Sequence, residues 1–188
     1  LCLWQHLQGC QIHLIRKTPP SLSQLGTRVA RNALLRTWPC ERLRVADRGL
    51  RVPRPAAARY CRQGLFYTAD IITVRIPRVR PLSELIAAGK RDAAFWRALG
   101  ASVQGFHGGG VYHADMNAHN LQIDDDGDLW MLDFDRGRLR HPGPWQQKTL
   151  SRLHRSLEKI QAANASLFFE PADWEHFLEG YFSAARSE

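Results

Sequence analysis

Residues 113–120 read HADMNAHN and place two histidines, one aspartate and two asparagines within eight positions. A second polar cluster, DFD at 133–135, follows the segment LQIDDDGDLWML. That segment, 121–132, consists of two short runs of strand-forming residues around Asp126-Gly127, which predicts a β-hairpin. Asp133 is then expected on the far arm of the hairpin, facing back towards HADMNAHN. The loop and the hairpin together decide which fold and which chemistry are open to this chain.

Two simpler interpretations compete for these residues. In the first, the Asp and Asn side chains only satisfy nearby backbone groups, as they do in many turns. In the second, they belong to a metal-dependent hydrolase whose ligands would come from His107, His113, Asp115, His119, Asp133 and Asp135. His113 and His119 are separated by loop-type sequence rather than by the i, i+4 spacing of a helix, and neither HxH nor HExxH occurs.

The third interpretation is phosphoryl transfer of the protein-kinase type. Its catalytic loop follows the pattern H-R-D-x-x-x-x-N, and an Asp on the next hairpin holds the metal. His113, Asp115 and Asn120 match this pattern as H-x-D-x-x-x-x-N. Asp115 would then orient the attacking hydroxyl and accept its proton, while Asn120 and Asp133 would ligate Mg²⁺, a cation that prefers oxygen. His113, the other residue assigned to the catalytic loop, is expected to brace it by hydrogen bonding.

The remaining sequence predicts strands first and helices afterwards. An extended segment with two prolines covers residues 50–57, and a hairpin around Gln63-Gly64 joins strands at 58–62 and 65–76. Helices are predicted wherever apolar residues recur at helical spacing; they cover residues 28–38, 81–89, 91–107, 145–163 and 171–188. The last helix is expected to bury a stripe formed by Trp174, Phe177, Leu178, Tyr181 and Phe182. This order predicts an α+β architecture with two lobes.

The composition indicates a folded, strongly basic protein. Its 188 residues are 44% hydrophobic, which is enough for a core, and the formal net charge is +8 with a pI of about 9.9. Such a surface attracts nucleic acid, phosphorylated substrates or acidic lipid headgroups, although an arginine-favouring genome would give the same excess. The arginines are spread along the chain without a recognised reader motif, so we expect no nucleic acid partner.

The cysteines and the hydropathy bear on location. Cys2, Cys10, Cys40 and Cys61 show no metal-binding spacing, so free thiols in a reducing cytosol are expected. No apolar run approaches the roughly 20 residues that span a bilayer. The first residues also lack the charged and apolar regions of a secretion signal. Any membrane contact is therefore expected to be peripheral.

The region around HADMNAHN resembles the catalytic core of the bacterial lipopolysaccharide kinase family. Within this family it resembles the kinases that act on 3-deoxy-D-manno-octulosonic acid (Kdo). The resemblance is carried by GGGVYHADMNAHNLQID at 108–124 and GDLWMLDFDRGRLR at 127–140. Catalytic loops similar to DLNAHN, and DFD with a following Arg or Lys in place of DFG, are typical of that family. Here they read D-M-N-A-H-N and D-F-D-R. The similarity covers about residues 49–188.

The resemblance implies a protein-kinase-like fold of class α+β, with an incomplete N-terminal lobe and a mostly helical C-terminal lobe. Residues 1–48 would be a divergent or incomplete N-lobe segment, 49–80 the N-lobe strands and hinge, and 81–188 the catalytic lobe. The implied reaction uses ATP and Mg²⁺ to phosphorylate the 4-OH of Kdo on a lipid A precursor. It would take place at the cytoplasmic face of the inner membrane, with the protein held peripherally on the anionic surface. A heptose kinase of the same superfamily is the alternative function that the resemblance leaves open.

The sequence departs from the family pattern in its first 48 residues. A kinase N-lobe needs a glycine-rich loop, a strand lysine and a helix glutamate that holds this lysine. Gly9 and Gly26 stand alone, Lys17 lies next to Thr-Pro-Pro rather than inside an expected strand, and Glu41 directly follows Pro39-Cys40. The ATP clamp is therefore not found in this segment. A non-catalytic, kinase-derived module that binds anionic glycolipid remains the alternative from a different functional class.

Overall fold

The computed structural model describes residues 12–17, 45, 49–63, 66–134, 137–163 and 168–186, and within 12–17 and 58–71 it describes the backbone only. The helix predicted at 28–38 lies outside the described residues, as do Cys2, Cys10, Cys40, Gly9, Gly26 and Glu41. The chain divides into two compact units. One contains residues 1–43 and 53–77, and the other contains residues 44–52 and 78–188.

The described part of the first unit is a three-stranded antiparallel sheet. Its strands are β1 (Ile12–Lys17), β2 (Pro55–Gln63) and β3 (Phe66–Val74), in the order β1-β3-β2. The predicted pairing of β2 with β3 is confirmed, but Gln63 is itself the last residue of β2 and pairs with Phe66. The strand pairing therefore includes a residue that the turn signal assigned to the connection, and Gly64 lies outside the described residues.

Strand β1 was not predicted, and Lys17 is its last residue. It pairs along its whole length with β3, from Ile12 opposite Val74 to Lys17 opposite Ala69. The segment IHLIRK lacks a clear alternation of apolar and polar residues. Its strand conformation therefore depends on a partner strand far along the chain, which a local pattern does not reveal.

The second unit carries the remaining strands and all the described helices. The strands are β4 (Val79–Pro81), β5 (Val111–Tyr112), β6 (Leu121–Asp124), β7 (Leu129–Met131) and β8 (Arg138–Leu139). They form two small antiparallel sheets, β4-β6-β7 and β5-β8. The helices are α1 (Leu82–Ala88), α2 (Ala93–Gly108), α3 (Trp145–Ala163) and α4 (Pro171–Ala185). The four helices predicted in this region and the hairpin around Asp126-Gly127 are thus confirmed.

Helices α2 and α4 pack closely because each places a glycine against the backbone of the other. A methyl group at Gly100 would overlap the backbone of Phe177, and one at Gly180 would overlap the carbonyl of Arg97. The predicted stripe of α4 is only partly correct, because Phe177 and Tyr181 are buried whereas Phe182 is 47% exposed. Gly180, which the predicted stripe did not include, lies in the contact with α2.

A buried polar network joins α2, α3 and α4 at His107. Nδ1 of this ring lies 2.8 Å from the Tyr181 hydroxyl, and Nε2 lies 3.1 Å from Oγ1 of Thr149. Thr149 gives its own proton to the carbonyl of Gln146, so Nε2 of His107 donates and Nδ1 accepts from Tyr181. Burial lowers the pKa of His107 to about 4 and raises the pKa of Tyr181 to about 12. His107 is therefore a neutral core residue.

Candidate active site

The catalytic-loop segment, residues 113–120, alternates between the core and the surface. Met116 and Ala118 are fully buried, whereas Asp115 and His119 are exposed. Two apolar anchors thus hold the loop against the core of the second unit, and the side chains between them are presented outward. The sequence produces this arrangement because its small or apolar residues occur at every second position between the polar ones.

His113 braces the two sides of the site. Its ring is 1% exposed, its Nε2 lies 2.7 Å from the carbonyl oxygen of Leu132, and its Nδ1 accepts from the backbone N–H of Asp115 at 3.2 Å. Since Nδ1 is an acceptor, Nε2 carries the proton and donates to Leu132. The ring also packs edge to face against Phe134, with centroids 4.9 Å apart. These contacts tie the catalytic loop to the far arm of the hairpin.

Two asparagines fix the backbone of the loop. Asn117 accepts from the backbone N–H groups of His119 at 2.9 Å and Asn120 at 3.1 Å. The side-chain amides of Asn117 and Asn120 both donate to the carbonyl oxygen of Asp115, at 3.1 and 2.8 Å. Because the Asn120 nitrogen is committed to this bond, its Oδ1 is the atom that could ligate a cation.

Leu132 holds Asp133 at the end of the hairpin. Its N–H donates to the carbonyl of Asn120 at 2.9 Å, while its own carbonyl accepts from His113. Asp133, the next residue, has φ +56°, a left-handed conformation that costs energy for any residue with a side chain. The structure therefore ties together the backbone of the four residues that the sequence singled out, His113, Asp115, Asn120 and Asp133.

Three further residues, on α1 and α3, contact the loop from outside, and no motif in the sequence pointed to them. Ser83 of α1 bonds to Nδ1 of His119 at 2.9 Å. Ser156 of α3 accepts from the N–H of Ala118 at 3.2 Å, and Arg152 places Nη1 3.5 Å from Oδ1 of Asp115. Arg152 and Ser156 are four residues apart and therefore lie on one face of α3, which is the pattern that could have pointed to them. Nothing local in the sequence names the loop as their partner.

The oxygen atoms available in the site suit a Mg²⁺ site better than a His-rich metal centre. Mg²⁺ typically takes one or two side-chain oxygens together with substrate phosphates, which matches Oδ1 of Asn120 and the carboxylate of Asp133. The hydrolase interpretation needed His107 and His113, whose ring nitrogens are bound to other protein groups. Within the described ranges, no three or more His, Cys, Asp or Glu side chains are grouped to hold a metal. Asp135 lies outside those ranges.

Comparison with known families agrees with this geometry. The model of the lipopolysaccharide kinase (Kdo/WaaP) family matches residues 40–181. The chain belongs to this family. The match contains the whole catalytic loop, the hairpin and all four helices up to Tyr181. The resemblance expected from the DMNAHN and DFDR motifs is therefore confirmed.

Curated relatives within the family carry a more specific name. The chain is 47% identical over 115 residues to the 3-deoxy-D-manno-octulosonic acid kinase of Xanthomonas axonopodis pv. citri, covering 61% of this chain and 46% of that protein. It is 37% identical over 133 residues to the kinase of the same name from Photobacterium profundum, covering 71% of this chain and 56% of the relative. The chain thus spans about half the length of the curated relatives it matches.

Solved structures confirm the fold class. A structure described as WaaP in complex with acyl carrier protein superposes with a TM-score of 0.61 at 19% identity, covering 95% of this chain and 72% of that one. The Cydia pomonella granulovirus kinase PK-1 superposes with a TM-score of 0.50 at 12% identity, covering 70% of this chain and 45% of that one. The α+β, protein-kinase-like fold predicted from the sequence is correct. None of the described helices is long and apolar enough to cross a membrane.

Proposed function

We propose that this chain transfers the γ-phosphate of ATP to a sugar hydroxyl, the 4-OH of Kdo on a lipid A precursor. The observation that carries the proposal is the double anchoring of Leu132, which bonds to His113 on one side and to Asn120 on the other. This anchoring holds the catalytic loop and the metal-binding aspartate of a kinase in a fixed relation. The names of the curated relatives support Kdo as the acceptor.

Asp115 is the proposed catalytic base. Its side chain is 62% exposed, so an acceptor hydroxyl can reach it, while its backbone is held by His113, Asn117 and Asn120. As Asp115 takes the hydroxyl proton, the sugar oxygen bonds to the γ-phosphorus. The bond from that phosphorus to the β,γ-bridging oxygen breaks, and ADP leaves with the electron pair. The products are ADP, a phosphate monoester and the proton on Asp115, which passes to solvent.

Asn120 and Asp133 are the proposed metal ligands. Oδ1 of Asn120 and the carboxylate of Asp133 would hold Mg²⁺, which when bound neutralises the charge of the ATP phosphates. Both residues are fixed through their backbones, since Asn120 bonds to Leu132 and Asp133 follows it directly. The left-handed conformation of Asp133 is the kind of backbone strain that accompanies functional positions.

A row of cations on α3 supports peripheral binding at the anionic cytoplasmic face of the inner membrane. The row consists of Lys148, Arg152, Arg155 and Lys159, all exposed. Their spacing of four, three and four residues places them along one face of the helix. Juxtaposed basic residues of this kind attract anionic lipid headgroups, and the net charge of +8 adds to the attraction.

The proposal is tested with the full chain, Mg²⁺, labelled ATP and a Kdo-bearing lipid A precursor. Label should appear on the Kdo 4-OH. It should fall by about 10²- to 10⁴-fold in Asp115→Ala, the contribution typical of a positioned base. Glu175→Ala, which removes an exposed carboxylate of α4, is the matched control and should retain full transfer.

Two results would contradict the proposal. Phosphate found on a heptose instead of Kdo would identify a heptose kinase. Folded protein that binds the precursor but transfers no phosphate would favour the non-catalytic binding module.

A further inference from the structure

Arg152 lies beside the proposed base without forming a tight ion pair with it. Its Nη1 is 3.5 Å from Oδ1 of Asp115, and the two side chains are 50% and 62% exposed. Charge-assisted hydrogen bonds are usually about 2.7–2.9 Å long, and exposed ion pairs add little stability. By contrast, Arg97 of α2 reaches Glu179 of α4 at 2.8 Å and joins two packed helices. The Arg152 contact is therefore a poor structural bond.

The guanidinium of Arg152 has unused capacity to bind an anion. Arginine presents five N–H donors in a planar fork that matches a carboxylate or phosphate group. Among the described residues, the polar contact of Arg152 is the one to Asp115. Its neighbours one turn away on the same face, Lys148 and Arg155, are also cationic and raise the local positive potential. An anionic group of a ligand would complete this arrangement.

We propose that Arg152 is an acceptor-binding residue that holds the carboxylate of the acidic sugar phosphorylated at Asp115. The inference rests on the proposed function. An attacking hydroxyl must approach Asp115 to about 2.6–3.2 Å. Because the guanidinium lies 3.5 Å from the same carboxylate, a second substituent on the same sugar ring falls within its reach. Arg152 thereby selects acidic over neutral sugars and determines which hydroxyl meets the base.

The γ-phosphate of ATP is the other oxyanion that Arg152 could meet, and the experiment separates the two. The acceptors are a soluble Kdo oligosaccharide and the same compound with its carboxyl group reduced to an alcohol. The proteins are the wild type, Arg152→Gln, Arg152→Lys and Arg97→Gln. The last removes the same charge from an exposed arginine of α2 that pairs with Glu179 instead of Asp115. For each combination kcat, the KM for acceptor and the KM for ATP are measured.

Arg152→Gln should raise the KM for the acidic acceptor by about 10- to 100-fold, the effect of losing a hydrogen bond to a charged group. The KM for the reduced acceptor and the KM for ATP should not change. Arg152→Lys should recover part of the affinity, and Arg97→Gln should behave as the wild type. Equal losses with both acceptors, or a loss confined to the KM for ATP, would overturn the inference.

Failure of the proposed function is distinguishable from failure of this inference. If the wild type transfers phosphate but Arg152→Gln does not discriminate between the acceptors, the inference fails and the function stands. If the wild type transfers none, the function fails, and calorimetric binding of the two acceptors decides the inference without turnover. Weaker binding of the acidic acceptor to Arg152→Gln than to the wild type would support it. Equal binding, or no binding to either protein, would overturn it.

Discussion

The α2–α4 helix pair and the catalytic loop use polar side chains in opposite ways. In the helix pair they bind one another in the core, as His107 does with Tyr181. In the loop, His113, Asn117 and Asn120 bind backbone groups instead, and the Asp115 carboxylate that they support remains 62% exposed. The polar groups of the helix pair thus stabilise its own packing, whereas the loop presents a polar group to a ligand.

Stability and chemistry are therefore carried by different residues of the same unit. Close packing at Gly100 and Gly180 and the buried network at His107 should determine how stably the unit folds. The carboxylates and the arginine at the loop should determine what it does once folded. Substitutions in the two regions should therefore affect unfolding and phosphate transfer separately.

The largest expected effect on stability is the titration of His107. Its pKa is about 4 in the folded protein against 6.5 ordinarily, so the unfolded state takes up a proton first as the pH falls. The stabilising contribution is complete above pH 6.5 and declines as the pH falls towards 4, by on the order of 3 kcal/mol. Urea unfolding at a series of pH values measures this slope.

His107→Gln should reduce that pH dependence, whereas His119→Gln, which removes an exposed loop histidine, should leave it intact. The same slope in wild type and His107→Gln would show that the buried network is not its source.

The next largest effect is expected at the helix crossing. Gly180→Ala would push a methyl group into the carbonyl of Arg97 and should cost roughly 1–3 kcal/mol or more, as overpacking does. Gly105→Ala in α2 is the matched control, because its added methyl group meets nothing within 4 Å. It should stabilise the protein by about 0.5–1 kcal/mol through helix propensity. Equal effects of the two variants on the free energy of unfolding would contradict the packing argument.

The smallest stability effect is expected at the arginines. Arg97→Gln removes the exposed pair with Glu179 and should lower the melting temperature only slightly, with phosphate transfer unchanged. Arg152→Gln should leave the melting temperature unchanged and weaken use of the acidic acceptor. Thermal unfolding and transfer assays on both variants show how the same Arg→Gln substitution affects the helix pair and the catalytic loop. A reversal of the two patterns would show that Arg152 is structural.

Much of the second unit could be predicted because its signals are local. Helix α3 begins and ends at the predicted residues, and the hairpin forms around Asp126-Gly127 as expected. The motif spacing also singled out His113 and Asn120, whose contacts with Leu132 join the loop to the hairpin. These elements form through interactions between residues that are close in the sequence, so a local pattern indicates them.

The remainder depends on contacts between distant segments. Strand β1 forms through its pairing with β3. Helix α4 meets α2 at Gly180, while Phe182 of the predicted aromatic stripe is exposed. Arg152 reaches Asp115 across 37 positions of sequence. No periodicity or motif encodes such a pairing, so these features could be identified only from the structure.

The separation of chemistry from folding is tested by measuring both phosphate transfer and unfolding for Asp115→Asn. This variant keeps the shape of the side chain and removes its charge. Transfer should fall by about 10²- to 10⁴-fold. The free energy of unfolding should change by no more than about 0.5 kcal/mol, as for other exposed positions. Full transfer by the variant, or a large loss of stability, would contradict the separation of chemistry from folding.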